Sequence, residues 1–305
     1  MLEDQDVTYH SPVLLKEAVD GLQIHEDGIY VDVTFGGGGH SAEILNRFEN
    51  GRLIAFDQDQ DALANVSADP RLILLPYNFK HLAEQLKVNK VEKVDGILAD
   101  LGVSSHQFDI AGRGFSIRFN AELDMRMNQS QQLTAKDILN YYPEQELVRV
   151  FQEYGELPSS KRMAAEIVRV RQENFINTSD ELKSTVSRFA PRMKENTFYA
   201  QLFQALRIEV NDELGALKEL LLQSVQMLKK GGRLVVISYH SLEDRLVKNF
   251  LNSGNFKGEI NKDLYGHPIG LLFKSITRKP VVPAAEEVEL NPRSRSAKMR
   301  IAERL

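Results

Sequence analysis

The sequence predicts an α/β protein: a parallel sheet interrupted by an all-helical insertion. Three observations lead there. Between residues 29 and 100, short apolar runs alternate with helix-length segments, a spacing that calls for right-handed crossovers between parallel strands. From about 109 to 211 no parallel strand stands out, and apolar residues recur at helical spacing. After 212 the α/β alternation resumes.

The first strand runs from Ile29 to Phe35 and enters Gly36-Gly37-Gly38-Gly39-His40-Ser41, with a helix from Ala42 to Phe48. The second, Arg52 to Phe56, stops at Asp57; Leu72 to Leu75 is a third and Val94 to Asp100 a fourth. In the insertion, Leu147, Val150, Phe151 and Tyr154 share one helical face, as do Ala164, Ile167, Val168 and Arg171. Thr178 and Glu181 have capping-box spacing before Leu182 and Val186. A helix carrying Leu214, Leu217, Leu221, Val225 and Leu228 ends at Lys229-Lys230-Gly231-Gly232, with cations and glycines suited to a helix C-terminus. Leu234 to Ser238 is a fifth strand, and Ser241 and Asp244 are placed to cap the helix after it. Leu271 to Ile276 and Met299 to Ala302 are candidates for the last two strands.

In such sheets ligands bind beyond the carboxyl ends of the strands. The glycine turn, Asp57, Phe79, Asp100 and Ser238-Tyr239-His240-Ser241 gather at that edge. Four glycines let the backbone turn tightly and approach a ligand, and an acid closing the next strand can hold ribose hydroxyls. A dinucleotide site needs G-x-G-x-x-G, but Ser41 stands in the third glycine position. Asp32 lies just before the turn. A carboxylate there repels a pyrophosphate and suits the sulfonium and amino group of S-adenosylmethionine. The methyl donor is the favoured ligand, with a dinucleotide and a ligand-free turn as alternatives.

Composition narrows the chemistry. Hydrophobic content of 42% and charged content of 27% suit a soluble globular protein. No apolar run approaches the ~18 residues of a membrane span, and the acidic start Met1 to Asp6 lacks a signal-peptide pattern; a cytoplasmic protein with no membrane partner is expected. The chain has no cysteine, which excludes disulfides, thiolate metal sites and a cysteine nucleophile. Methylation of a pyrimidine ring carbon usually needs such a nucleophile, so a heteroatom with its own lone pair is the expected acceptor. Seven scattered histidines form no metal-binding pattern, and no metal is expected. The net charge of −5 does not favour nonspecific nucleic-acid binding, yet Arg293, Arg295, Lys298 and Arg300 form a local basic run.

Several longer motifs carry a resemblance. They are His10 to Leu15, Thr34 to Ser41, Asp100-Leu101-Gly102-Val103-Ser104-Ser105, Arg113-Gly114-Phe115-Ser116, Leu123-Asp124-Met125-Arg126-Met127, Phe203 to Ile208, Ser238 to Arg245 and Arg300 to Arg304. In this order they resemble, from end to end, the bacterial ribosomal RNA methyltransferases that modify the N4 amine of a cytidine in the 16S decoding region. The resemblance implies a Rossmann-like S-adenosylmethionine methyltransferase core, residues 1–108 and 212–305, with an inserted all-α domain, 109–211, for substrate recognition. It implies cofactor contacts from Gly38, Gly39, His40, Asp57, Phe79, Asp100 and Gln107, S-adenosylhomocysteine as product, and 16S rRNA within the small subunit or its precursor as partner. The chain departs from the family at Ala121-Glu122 and at Ala200-Gln201-Leu202, both in the insertion.

Asp100 is the candidate reaction-centre residue. The N4 lone pair of cytosine is conjugated with the ring, so an acceptor for its hydrogens, Asp100 or the carbonyls of Leu101 and Gly102, would orient it and favour a pyramidal nitrogen. A base must be unpaired or flipped to reach such a pocket. Arg113, Phe115, Arg118 and Phe119 interleave cations and aromatics, a pattern that grips phosphate and stacks bases or makes an ordinary packed loop. His240, Arg293 and Arg295 complete the expected substrate contacts. Two alternatives remain: a methyltransferase for a small molecule or protein, and a non-catalytic RNA-binding or ribosome-assembly factor.

Overall fold

The computed structural model describes residues 12–305. His10, Ser11 and the acidic start lie outside the described residues. The chain divides into two compact units, one holding the chain up to Gly102 and from Leu214 to Leu305, the other Val103–Glu213.

The first unit is built on a seven-stranded sheet. Its strands are β1 (Ile29–Asp32), β2 (Arg52–Phe56), β3 (Leu72–Leu75), β4 (Val94–Asp100), β5 (Leu228–Ser238), β6 (Phe273–Ser275) and β7 (Lys298–Arg304), in spatial order β3-β2-β1-β4-β5-β7-β6. The first five are parallel, while β7 runs antiparallel to both β5 and β6. The chain builds outward from β1 to β3, then crosses back to lay β4 on the other side of β1. The switch point therefore lies between the carboxyl ends of β1 and β4, where open α/β sheets hold their ligands.

Alternating strand residues feed two cores because side chains of a strand point to opposite faces. Ile97, Ala99, Leu234 and Val236 meet Leu82 and Leu86, Leu217 and Leu221, and Val247 and Phe250 on one face. Leu98, Val235 and Ile237 meet Ala18, Val19, Ile44 and Leu45 on the other. Burial on both faces explains the unbroken apolar runs of the central strands.

Several boundaries differ from the sequence expectation, each for a local reason. The first helix after the glycine turn spans Gly39–Leu45 and starts earlier than Ala42, because Gly38 at φ 78 makes the N-cap. The helix expected to end at Lys229-Lys230 stops at Met227, and β5 begins at Leu228. Leu228 pairs with Val94 across a bulge, and the Lys229 ammonium pairs with Asp95. The cap of helix Ser241–Ser253 is His240 with Glu243, one residue ahead of the expected Ser241 and Asp244.

The second unit is helical. Helices Ala135–Tyr141, Glu144–Glu153, Ser160–Arg171, Ser179–Val186 and Glu195–Asn211 surround a core that includes Leu147, Val150, Phe151, Ile167, Leu182, Leu202 and Leu206. The capping box read from sequence forms: the Thr178 side chain accepts from the Glu181 N–H, and Glu181 Oε2 accepts from the Thr178 N–H at 3.0 Å. Thr178→Ala is expected to cost about 1 kcal/mol of stability, seen as a lower urea midpoint with an unchanged slope.

Candidate active site

The site begins in the backbone of the glycine turn. The Val33 N–H donates to the Leu98 carbonyl and the Phe35 N–H to the Phe56 carbonyl, 2.9 Å each. Beyond the end of β1, the chain is thus still laced to β4 on one side and to β2 on the other. Gly36, at φ 52, faces open space, since an added Cβ would meet nothing within 4 Å. Its N–H donates to Asp57 Oδ2 at 2.7 Å, and Asp57 Oδ1 takes the Asp59 N–H at 2.8 Å. Burial pushes the Asp57 carboxyl up to about 6 despite these two donors.

Asp32 turns out to brace the turn from inside. It is buried; its Oδ2 accepts from Ser41 Oγ at 2.7 Å and its Oδ1 from the Thr34 N–H at 3.1 Å. The Thr34 hydroxyl in turn accepts the Asp100 N–H at 2.7 Å. A single polar chain, Ser41 to Asp32 to Thr34 to Asp100, therefore ties the glycine turn to the end of β4. Burial raises the Asp32 carboxyl above its ordinary range.

Asp100 stands at the switch point. Its Oδ1 accepts the Tyr239 hydroxyl at 2.8 Å, and its Oδ2 lies 3.8 Å from His40 Nδ1. His40 is itself buried, with Nε2 3.1 Å from the Val13 carbonyl. A carbonyl only accepts, so Nε2 carries the hydrogen. Burial pushes Asp100 up to about 6, with the neighbouring His40 and the Tyr239 hydroxyl pulling the other way. The phenol of Tyr239 is raised by its own burial and then by Asp100.

The partly accessible acceptors at this edge are two carboxylates, Asp57 and Asp100, around a backbone open at Gly36, with Asp32 buried behind the turn. That chemistry accepts hydroxyl and ammonium hydrogens and repels phosphate. It fits a ribose and a cationic sulfonium group better than a pyrophosphate.

The other expected residues are divided between the two units. Phe79 sits in a short turn after β3, half-buried against the sheet core. Gln107 belongs to the helical unit, where its Oε1 accepts the Ser104 N–H at 3.0 Å and closes a capping box. Arg113 and Phe115 are interior: the guanidinium donates to the carbonyls of Arg126 and Met127 at 3.0 and 3.1 Å and lies over the Phe115 ring. They form the packed loop that was the alternative to an RNA grip, and leave Arg118 and Phe119 exposed. The C-terminal basic run is divided as well. Arg300 is buried and paired with Asp244 at 2.7 Å, Lys298 approaches the same carboxylate, and Arg293 and Arg295 are exposed. His240 caps its helix, with Nε2 buried 3.2 Å from Glu243 Oε1. Tyr239, which the sequence gathered at the ligand edge without a role of its own, is the direct partner of Asp100.

The family model of the MraW methylase family matches residues 7–305. The chain belongs to the MraW methylase family. Similar proteins include ribosomal RNA small subunit methyltransferase H of Flavobacterium johnsoniae, 55% identical over 97% of this chain and 98% of its own length. The proteins of that name from Cytophaga hutchinsonii and Bacteroides thetaiotaomicron are 55% and 52% identical, over 97% and 99% of this chain and 99% and 100% of theirs. As an MraW-family methylase with an α/β core and an all-α insertion, the chain has the Rossmann-like methyltransferase architecture expected from its sequence. Among its described residues no helix is long and apolar enough to cross a membrane.

Proposed function

We propose that this chain transfers the methyl group of S-adenosylmethionine to the exocyclic N4 amine of a cytidine in the decoding region of 16S rRNA, in the small ribosomal subunit or its precursor. The observation that carries the reading is Asp100: a partly accessible carboxylate at the switch point, tied to the glycine turn through Thr34. The names of the similar proteins support an rRNA substrate, and the carboxylates of Asp57 and Asp100 at the sheet edge support the donor. S-adenosylmethionine supplies an electrophilic methyl on sulfur. Asp57 is the residue for its ribose hydroxyls, with Gly38 and Gly39 shaping the turn and Phe79 packing on adenine. His40 completes the proposed cofactor contacts within this unit.

Asp100 then acts on the acceptor. Its carboxylate takes a hydrogen bond from the N4 amine, holds the nitrogen in line with the methyl, and favours the pyramidal geometry that frees the lone pair. The carbonyls of Leu101 and Gly102 are the neighbouring acceptors. Most of the acceleration is positioning, with reacting atoms about 3–3.5 Å apart. Once methylated, the nitrogen is cationic and sheds its proton readily, so a strong base is unnecessary. Arg118, Arg293 and Arg295 are proposed phosphate contacts.

The test uses small subunits from cells lacking this protein, incubated with the purified chain and labelled donor. Mass spectrometry of 16S nucleosides should show N4-methylcytidine gained at the decoding region. Label entering protein or small molecules instead of rRNA would sink the reading.

A further inference from the structure

We infer that Tyr239 is a positioning residue of the methyl-transfer site, holding the Asp100 carboxylate by one oxygen so that the other is presented to the acceptor amine. This inference rests on the reaction-centre role proposed for Asp100.

The geometry is specific. Strands β4 and β5 are parallel neighbours with Asp100 opposite Ile237. Tyr239 follows two residues later, and its hydroxyl reaches Asp100 Oδ1 at 2.8 Å. The tyrosine is anchored along its length. Its N–H donates to Glu243 Oε2 at 2.9 Å, and its ring packs against the core on the His40 face of the sheet. Across from it, Gly102 at φ 95 brings the loop after β4 against the ring, where an added Cβ would lie 3.5 Å from Tyr239 Cδ2. The phenol thus meets both the Asp100 carboxylate and the loop that carries the other proposed acceptors.

The lock has a chemical consequence. A phenol O–H donating to a carboxylate stabilises the charged, accepting form. Oδ1 is engaged by Tyr239, and Oδ2, 3.8 Å from His40 Nδ1, is the oxygen left for the amine. The charged and titratable groups facing Asp100 are His40 and Tyr239, with Asp32 and Glu243 further off; Glu287 also acts on Tyr239. The carboxylates among them disfavour a second negative charge; His40 and then Tyr239 oppose them, Tyr239 as a neutral hydrogen-bond donor.

The experiment is the pH profile of kcat at saturating donor, for the full chain acting on small subunits. Tyr239→Phe should lower kcat about 10- to 30-fold and leave the donor Kd within twofold. It should also move the acid limb upward by about one pH unit, because the carboxylate loses a donor to its charged form. Replacing Tyr239 with 3-fluorotyrosine keeps the shape and makes a more acidic donor, and should move the limb the other way. A purely structural tyrosine would lower kcat with no movement of the limb, and that result overturns the inference. If Tyr239→Phe fails to fold, the fluorinated protein decides alone: an unmoved limb refutes the lock. Asp100→Asn in the same assay separates the two readings. If it retains wild-type turnover, the proposed reaction-centre role fails and the lock fails with it; if it is inactive while Tyr239→Phe behaves as wild type, the lock alone fails.

Discussion

Asp100→Asn is expected to lower kcat by about 10³-fold and, at pH 7.5, to leave the folded protein more stable than wild type. The first effect follows from charge. An amide oxygen still accepts the Tyr239 hydroxyl, but it polarises the N4 hydrogens weakly and cannot balance the positive charge that grows on nitrogen, a loss in the range of removing a preorganised electrostatic group. The second follows from linkage. Burial raises the Asp100 carboxyl from its ordinary 3.8 to about 6. The folded state therefore holds this proton more tightly than the unfolded chain. The stabilising contribution is complete below pH 4 and is lost as pH rises through 6. At pH 7.5 the ionised, largely desolvated carboxylate is a cost of about 1–3 kcal/mol that Asn removes. Thermal unfolding of both proteins at pH 4 and 7.5 reads the difference: the stability gain of the variant should shrink or vanish at pH 4. A variant that is inactive and also less stable at pH 7.5 would mean that Asp100 serves the fold rather than the chemistry. Lost activity together with gained stability is the pattern expected where a site carries strain that the remainder of the fold absorbs.

Much of this site was visible in the chain, because its parts are local. A strand that ends in an acid, Arg52 to Asp57, and a strand that ends in a glycine turn announce themselves without partners. The fold class was equally legible, since apolar runs buried on both faces of a sheet differ in period from the helical insertion. What escaped was relation across distance. Tyr239 acts on a residue 139 positions earlier, and only the pairing of β4 with β5 puts Asp100 opposite Ile237. The signal that could have found it is the strand order itself: once β4 and β5 are neighbours, residues just past their ends must meet. Arg113 and Phe115 misled in the opposite sense. A cation beside an aromatic is a nucleic-acid signature on a surface and a packing device inside, and sequence does not report which side of the fold a loop turns inward. Arg300 shows the same ambiguity within a strand, because alternation sends it toward Asp244 while Arg293 and Arg295, in the turn before β7, remain exposed.

Asp57→Ala is expected to weaken donor binding by about 100-fold or more while affecting kcat at saturation far less. Two losses add. The carboxylate is the proposed acceptor for both ribose hydroxyls, and hydrogen bonds to a charged group contribute about 1.5–3 kcal/mol each, where 1.4 kcal/mol is tenfold in Kd. The same oxygens also hold the turn, with Gly36 N–H at 2.7 Å and Asp59 N–H at 2.8 Å; without them two backbone donors beside the ligand lose their acceptor and the turn loosens. The pH dependence gives an independent handle. Burial raises Asp57 to about 6 in the free protein, so lowering the pH through 6 protonates the group and removes its acceptor capacity. Ribose hydroxyls donate to the charged form, so binding should in turn pull the group back down and expel a proton near pH 6. Calorimetry of S-adenosylhomocysteine binding in buffers of different ionisation enthalpy measures that proton directly. Wild type should release up to about half a proton at pH 6, more at pH 5 and close to none at pH 8, and Asp57→Asn should release less at pH 6. Equal proton release by the two proteins would place the ribose elsewhere on the edge of the sheet and leave Asp57 as a brace of the glycine turn alone.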